Sequence, residues 1–204
     1  MTDDNTIESE IFGEGFGFLV AEDRVRDIDV LLEELNVLHG SGFINQLKEI
    51  ANHPAFFPIK DEIGIYGIGG ERGEDYNNLL NAAHKAVEHG YRVFILPNPK
   101  GIRTADLIFE RKGVYKLFDL KTISGKASVS NRLLESIGQT NRVLLNMTVD
   151  YNPIALARNV KSYFEKNPSA VEILIFKGRK VLSVIREDTK NKKFHKTFIA
   201  KYIK

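Results

Sequence analysis

The sequence predicts an α/β fold with an α+β tendency, in which a mixed central β-sheet is flanked by helices. In residues 74–204, segments with helical spacing of apolar residues follow one another with segments of strand character. Their order is helix, three strands, helix, strand, helix and two strands, which predicts a sheet with both hairpins and crossovers. Apolar residues make up 43% of the 204, enough for a packed core.

The first part of the chain, residues 1–73, is predicted to be a small, mainly helical region. Apolar residues recur at helical spacing in residues 25–38, and a second short helix is expected over residues 43–51. Residues 54–73 contain two prolines and five glycines. This composition indicates a connector, with one short strand near residues 63–68.

The remainder, residues 74–204, is predicted to form a second unit that contains the sheet. Helices are expected at residues 74–89, 130–138 and 154–167, and strands at residues 91–96, 105–110, 114–123, 142–148, 171–176 and 180–185. Gly90 ends the first of these helices, and residues 111–113 form a tight turn between the second and third strands.

Charge divides the chain at the same place. Residues 1–73 contain 5 Lys/Arg and 15 Asp/Glu, a net of −10, whereas residues 74–204 contain 24 Lys/Arg and 12 Asp/Glu, a net of +12. This asymmetry predicts two units, and the basic one favours a nucleic acid as partner. The chain has no cysteine, which excludes disulfides, cysteine-ligated zinc and thiol nucleophiles.

Neither a signal peptide nor a membrane-spanning segment is expected. The first five residues are polar and acidic, and no apolar run approaches the roughly 20 residues that a membrane helix needs. We therefore expect no membrane partner and a cytoplasmic site of action.

Three residues in neighbouring predicted strands indicate chemistry. Asp119 and Lys121 are two positions apart in one strand, so their side chains project from the same face. Asp106 lies at the mouth of the preceding strand, and a hairpin that turns at residues 111–113 brings it close to the level of Asp119. An acid and a lysine in an otherwise apolar strand are costly unless they are paired or functional.

Two converging carboxylates beside an ammonium group suit the hydrolysis of phosphodiester bonds. Asp106 and Asp119 can hold a hard divalent cation, Mg²⁺ or alternatively Mn²⁺, with positions left for water and phosphate. Lys121 can orient the attacking water or stabilise negative charge in the transition state. The structural alternative is an Asp–Lys ion pair at the end of a half-exposed strand. The second aspartate, the order of the elements and the basic charge together favour a nuclease.

Residues 74–186 resemble the PD-(D/E)XK nucleases. They resemble more closely the C-terminal tRNase toxin domains of contact-dependent growth inhibition systems and related phage and polymorphic-toxin domains. The matching segments are residues 89–93, 104–108, 118–122, 128–132 and 138–143. The resemblance implies a restriction-endonuclease-like core whose metal site maps onto Asp106, Asp119 and Lys121. Ala105 stands where the family has a proline, which leaves the carboxylate of Asp106 in place.

The resemblance also implies supporting residues, a substrate and a partner. Gln139 stands where the family often has a glutamine that supports the site. Glu74 is the candidate for the helix-borne acid and third metal ligand, with Glu71 as the second choice. The implied activity is that of an RNase toxin that acts on tRNA in preference to DNA. Such a protein would be delivered by a toxin system and would need an immunity protein in the producing cell.

Further residues near the site are candidates for contacts with nucleic acid. They are Arg103, Lys126, Ser128, Ser130 and Arg132. The last three open the helix that follows the Lys121 strand, and a helix N-terminus can hold a phosphate. N-capping by Ser128 or Ser130 is an equally good interpretation.

The C-terminal residues 190–204 combine six lysines with three aromatic residues. This tail can add electrostatic attraction for a nucleic acid. Its alternative interpretation is a solvated terminal strand with the aromatic residues packed on the domain.

Two other functions stay open at this point. A DNA endonuclease of restriction or repair type would share the site but not the substrate. A degenerate nuclease fold would serve as a non-catalytic module that binds nucleic acid or protein.

Overall fold

The computed structural model describes residues 25–69, 73–102, 104–125 and 128–203. Its helices are α1 (Ile28–Glu34), α2 (Gly40–Ala51), α3 (Tyr76–Glu88), α4 (Val129–Glu135), α5 (Pro153–Lys166), α6 (Arg186–Lys190) and α7 (Phe194–Ile203). Its strands are β1 (Phe57–Pro58), β2 (Ile65–Gly67), β3 (Arg92–Ile95), β4 (Leu107–Arg111), β5 (Val114–Ile123), β6 (Arg142–Met147), β7 (Glu172–Lys177) and β8 (Lys180–Ile185). The predicted mixed sheet with flanking helices is confirmed.

The eight strands form one sheet in which the spatial order follows the chain from β1 to β8. The pairs β2–β3, β5–β6 and β6–β7 are parallel, and the other neighbours are antiparallel. Each parallel pair is joined by a helix, α3, α4 or α5, because parallel strands need a crossover connection.

Strand β5 changes partner halfway along its length. Its first half pairs with β4, and the last pair is Leu107 with Phe118. Its second half pairs with β6, and the first pair is Asp119 with Val143. The change of partner falls at Asp119. The segment of β5 that contains Asp119 and Lys121 therefore begins where β4 no longer runs beside it.

Helices cover both faces of the sheet. Helix α3 packs on the face that presents Phe118, with Ala82, Ala83 and Ala86 at the contact. Because side chains alternate along a strand, Leu117 and Asp119 point to the other face. On that face Leu117 contacts the core formed with α1 and α2, while α4, α5 and α7 form a further core farther along β5.

The predicted helical N-terminal region is confirmed, and its helices share a core with the sheet. Leu47 and Ile50 of α2 are fully buried in a cluster that also contains Ile108 of β4. Helix α1 is shorter than predicted at both ends. It begins after Asp27, whose side chain caps it by accepting from the Asp29 amide, and after it the turn tightens, so that the amide of Val37 bonds to the carbonyl of Glu34. The connector supplies two strands instead of one, and β2 pairs with β3.

The C-terminal residues form helices, so the interpretation as a terminal strand was wrong. Phe194, Phe198 and Tyr202 of α7 are all buried, which confirms that these rings pack on the domain. Their spacing of four positions places them on one helical face. Within the described residues, none of the helices combines the length and the apolar character that spanning a membrane requires.

Candidate active site

Asp106 is fixed at the point where β4 begins. Its amide donates to the carbonyl of Phe118 at 3.1 Å, and its carbonyl accepts from the amide of Leu96 at 2.9 Å. Its carboxylate oxygen Oδ2 accepts the amide hydrogen of Leu120 at 2.6 Å. The side chain of Asp106 therefore bonds the part of β5 that has just lost β4 as its neighbour.

Asp119 and Lys121 form a shielded ion pair on the same face of β5, as the spacing predicted. Asp119 is 1% exposed, and the side chain of Lys121 is 13% exposed. Lys121 Nζ lies 3.0 Å from Oδ2 of Asp119 and donates a hydrogen bond to Oδ1 at 3.2 Å. Although Oδ2 is close to the ammonium group, it accepts no well-aligned hydrogen bond from the described residues.

Burial of the two aspartates disfavours the state in which both carboxyl groups are ionised. Burial raises the pKa of Asp119 to about 7, the charge of Lys121 opposes this shift, and the charge of Asp106 adds to it. Burial also raises the pKa of Asp106, against the opposing hydrogen bond from the Leu120 amide. A cation placed between the carboxylates would relieve both effects.

The three residues line a polar cavity of about 470 Å³. Its walls come from α3, the β3–β4 loop, β5, and α4 with the turn after it. The lining residues are Asp75, Asn78, Leu79, Asn98, Ile102, Thr104, Asp106, Asp119, Leu120, Lys121, Thr122, Ser124, Arg132 and Gln139. Five of the residues predicted from the sequence therefore share one cavity: Asp106, Asp119, Lys121, Gln139 and Arg132.

Gln139 reaches this cavity because of the turn that follows α4. The hydroxyl of Ser136 donates to the carbonyl of Leu133 at 2.7 Å and lies 3.2 Å from the hydroxyl of Tyr163 on α5. The chain then reverses at Gly138, whose φ of +84° lies in the region that favours glycine. The buried Ser136 anchors the turn, which in turn positions Gln139.

The helix-borne acid in the cavity is Asp75, and the predicted Glu74 lies outside its lining. Helix α3 begins at Tyr76, two residues later than predicted, with Asp75 as its N-cap residue. Asp75, Asn78 and Leu79 are spaced by three and four positions, so they share the face of α3 that lines the cavity. Asp75 was not among the predicted acids, because the helix was predicted to begin at residue 74 and local patterns do not give the phase of a helix to one residue.

Among the described residues, Ser128 and Ser130 are predicted nucleic-acid contacts that do not line the cavity. Ser128 precedes α4 and makes no capping hydrogen bond, so the capping alternative is not realised there. Ser130 faces α5, in a small pocket that Asn159 also lines. Arg103, Lys126 and Glu71 lie outside the described residues.

The donor set fits a hard divalent cation held by two carboxylates. Within the described residues, no three side chains of the His, Cys, Asp or Glu type form a cluster that could hold a metal, and Glu74 does not join Asp106 and Asp119. Magnesium is commonly bound by only one or two carboxylates, with water and substrate phosphate as further ligands. The buried oxygen Oδ2 of Asp119 accepts no aligned hydrogen bond and lies 3.0 Å from Lys121 Nζ; a bound cation would compete with this ammonium group for it.

Comparisons with known proteins give one partial likeness. No protein-family model and no curated protein matches the chain. A similar solved structure is the CdiA-CT/CdiI toxin and immunity complex from Burkholderia pseudomallei, with a TM-score of 0.40 and 14% sequence identity. The match covers 58% of this chain and 98% of that chain.

Proposed function

We propose that this protein is a metal-dependent endonuclease that hydrolyses phosphodiester bonds. The observation that supports it best is the convergence of Asp106 and Asp119 in one open polar cavity, with Lys121 bonded to Asp119. Ionisation of both aspartates in one buried site is unfavourable unless a cation balances their charges. Titratable groups with pKa values shifted in this way are concentrated at functional sites. An ion pair with a purely structural role would not need the second carboxylate.

Each residue has a role that follows from its position. Asp106 and Asp119 would hold one Mg²⁺ or Mn²⁺ ion, which supplies charge neutralisation at the phosphate and acidifies a water molecule. Lys121 projects beside the carboxylates, where its ammonium group can orient the nucleophilic water or balance the charge that develops on phosphate oxygens. Arg132 and Gln139 stand at the same cavity and can contact the substrate backbone.

The substrate that we propose is RNA, with tRNA favoured over DNA. This choice follows from the resemblance of residues 104–108, 118–122 and 138–143 to tRNase toxin domains. A toxin of this kind acts in the cytoplasm of a target cell and requires an immunity protein where it is made. The basic charge of residues 74–204 supports attraction to either nucleic acid and does not separate the two.

A cleavage assay tests the proposal. The protein is incubated with total tRNA, plasmid DNA and single-stranded DNA, each with Mg²⁺, with Mn²⁺ and with excess chelator. We expect chelator-sensitive cleavage of tRNA that Asp119→Ala reduces at least about 100-fold. The matched control is Asp150→Ala, because Asp150 is 96% exposed and outside the cavity.

Other outcomes of this assay would replace the proposal. Cleavage of DNA alone would identify a DNA endonuclease. Cleavage of no substrate, together with retained nucleic-acid binding, would identify a non-catalytic module. Cleavage that is unaffected by the chelator or by Asp119→Ala would place the chemistry elsewhere.

A further inference from the structure

A second cavity, of about 320 Å³, adjoins the candidate active site. It lies between the N-terminal helices and the sheet, and α1 and α2 provide one of its walls. The opposite wall comes from the start of β4, the middle of β5 and the turn after α4. We call it the side cavity; Asn36, His39, Phe43, Ala105, Leu117 and Asn141 are among its lining residues.

The side cavity shares part of its wall with the candidate active site. Thr104 and Gln139 line both cavities. Leu117 lines the side cavity and Asp119 lines the active-site cavity, and the two residues point to the same face of β5. Positions two apart in a strand are separated by about 7 Å, so one nucleotide could occupy both cavities, with its phosphate at Asp119 and its base at Leu117.

The walls of the side cavity suit a flat heterocycle. Leu96, Ala105 and Leu117 provide a buried apolar surface. Gln139, Thr140 and Asn141 add amide and hydroxyl groups along another part of the wall. His39 is exposed and Phe43 is half-buried, so two rings are available for stacking. Unpaired bases are recognised by this combination of stacking and polar contacts to the base edge.

We propose that the side cavity receives an unpaired base of the nucleotide beside the scissile phosphate. This inference rests on the proposed nuclease function and narrows its substrate to single-stranded segments, loops or bases that can leave a helix. A base held inside a duplex cannot enter the cavity without unpairing and unstacking, which is a cost that an unpaired base avoids. The N-terminal helices thereby determine which nucleotide is cleaved.

Binding to a labelled RNA hexanucleotide in the absence of divalent cations tests the inference. The intact strand is compared with strands that lack one base at successive positions and with the duplex of the same sequence. We expect one missing base to weaken binding roughly 5- to 160-fold, the range for the loss of one stacked base, and the other positions to change it little. The single strand should bind more tightly than the duplex.

Two variants, one in the turn after α1 and one in α2, show where the base binds. Asn36→Trp fills the side cavity from an exposed wall position, whereas Asn45→Trp adds the same ring on an exposed position of α2 outside the lining. We expect Asn36→Trp to bind the intact strand as weakly as the wild type binds the strand with the critical base missing. Asn45→Trp should behave as the wild type. His39→Ala provides a second, smaller change at the same cavity.

The outcomes separate this inference from the proposed function. Equal binding to all the strands, or equal behaviour of the two tryptophan variants, would overturn the side-cavity inference even if tRNA is cleaved. If binding depends on the position of the missing base but no substrate is cleaved, the base site would be supported and the proposed nuclease function would be overturned. Absence of RNA binding under all conditions would overturn both.

Discussion

At the scale of single residues, Asp119 has the most strongly perturbed electrostatics in the candidate site. Its carboxyl group is almost fully buried, its pKa is raised to about 7 by burial, and it lies close to Asp106. The unfavourable charge is tolerated because Lys121 lies 3.0 Å away. Such a cluster of buried charged groups lowers stability, as is common at active sites. Under the proposed function, a bound cation would offset this cost.

The titration of Asp119 predicts how stability depends on pH without metal. The folded pKa of about 7 exceeds the unfolded value of about 4, so the native state retains a proton that the unfolded chain loses. The contribution of Asp119 to the free energy of unfolding should therefore fall as pH rises from about 4 to about 7, by up to about 1.4 kcal/mol per unit, and level off above.

Urea unfolding of the wild type and of Asp119→Asn, measured between pH 5 and pH 8 with chelator, checks this expectation. As pH rises, the free energy of unfolding of the wild type should fall relative to that of Asp119→Asn. A difference that is constant with pH, or that shifts in favour of the wild type, would contradict the assigned burial of the carboxyl group. Asp150→Asn should follow the wild type, because Asp150 is exposed.

Lys121 should affect the chemical step more than substrate binding. Lys121→Ala removes the ammonium group beside the carboxylates, and we expect kcat to fall about 100-fold with KM changed little. Steady-state cleavage measures this, with Lys180→Ala as the control because Lys180 is exposed on β8. A rise in KM at unchanged kcat would instead make Lys121 a binding residue.

Among the elements, β5 is decisive because it joins the two halves of the sheet. Its Lys116 reaches the buried Glu172 of β7 at 2.8 Å. Glu172 also accepts from Arg142 of β6 at 3.3 Å and from Ser183 of β8 at 2.8 Å. Four strands are thus joined by one carboxylate near the point where β5 passes from β4 to β6.

Replacement of Glu172 should weaken the fold and leave the site chemistry intact. Glu172→Gln removes the charge that Lys116 and Arg142 share, and we expect a loss of about 2 kcal/mol in the free energy of unfolding. Urea unfolding measures it, with the exposed Glu165→Gln as the control. Equal stabilities for the two variants would show that the network contributes nothing.

Elements with a strong local signal were predicted well from the sequence. The bounds of β5 match, and the turn before it uses Lys112 and Gly113 with positive φ angles, as a tight hairpin requires. Glu74 was predicted and Asp75 was missed, because a shift of one residue at the start of a helix changes which acid reaches the cavity.

The long-range arrangement of the site lay beyond local patterns. The bond from the Leu120 amide to Asp106 and the change of partner at Asp119 depend on where β4 begins. The side cavity depends on how α1 and α2 pack against β5, and periodicity within each helix carries no information about that contact.

At the scale of the whole molecule, the acidic N-terminal helices belong to the same folded body as the sheet. Leu47 of α2 is fully buried in the core that includes Leu117 of β5. Leu47→Ala should lower the free energy of unfolding by roughly 2–5 kcal/mol, whereas Ile44→Ala, at a position that is 38% exposed, should change it little. Thermal or urea unfolding provides the measurement.

The outcome for Leu47 also concerns function. A single cooperative transition that shifts for Leu47→Ala would support α1 and α2 as fixed walls of the side cavity. Two separate transitions, with only the smaller one affected by the substitution, would mean that these helices unfold independently and cannot hold a base in register.

The most direct test of the central claim is a calorimetric titration with Mn²⁺ at pH 7.5. If Asp106 and Asp119 together hold one cation, the wild type should bind Mn²⁺ with a stoichiometry of one, and Asp106→Asn and Asp119→Asn should each lose that binding. Asp150→Asn should retain it. Undetectable binding by the folded wild type, or unchanged binding by both site variants, would contradict the claim.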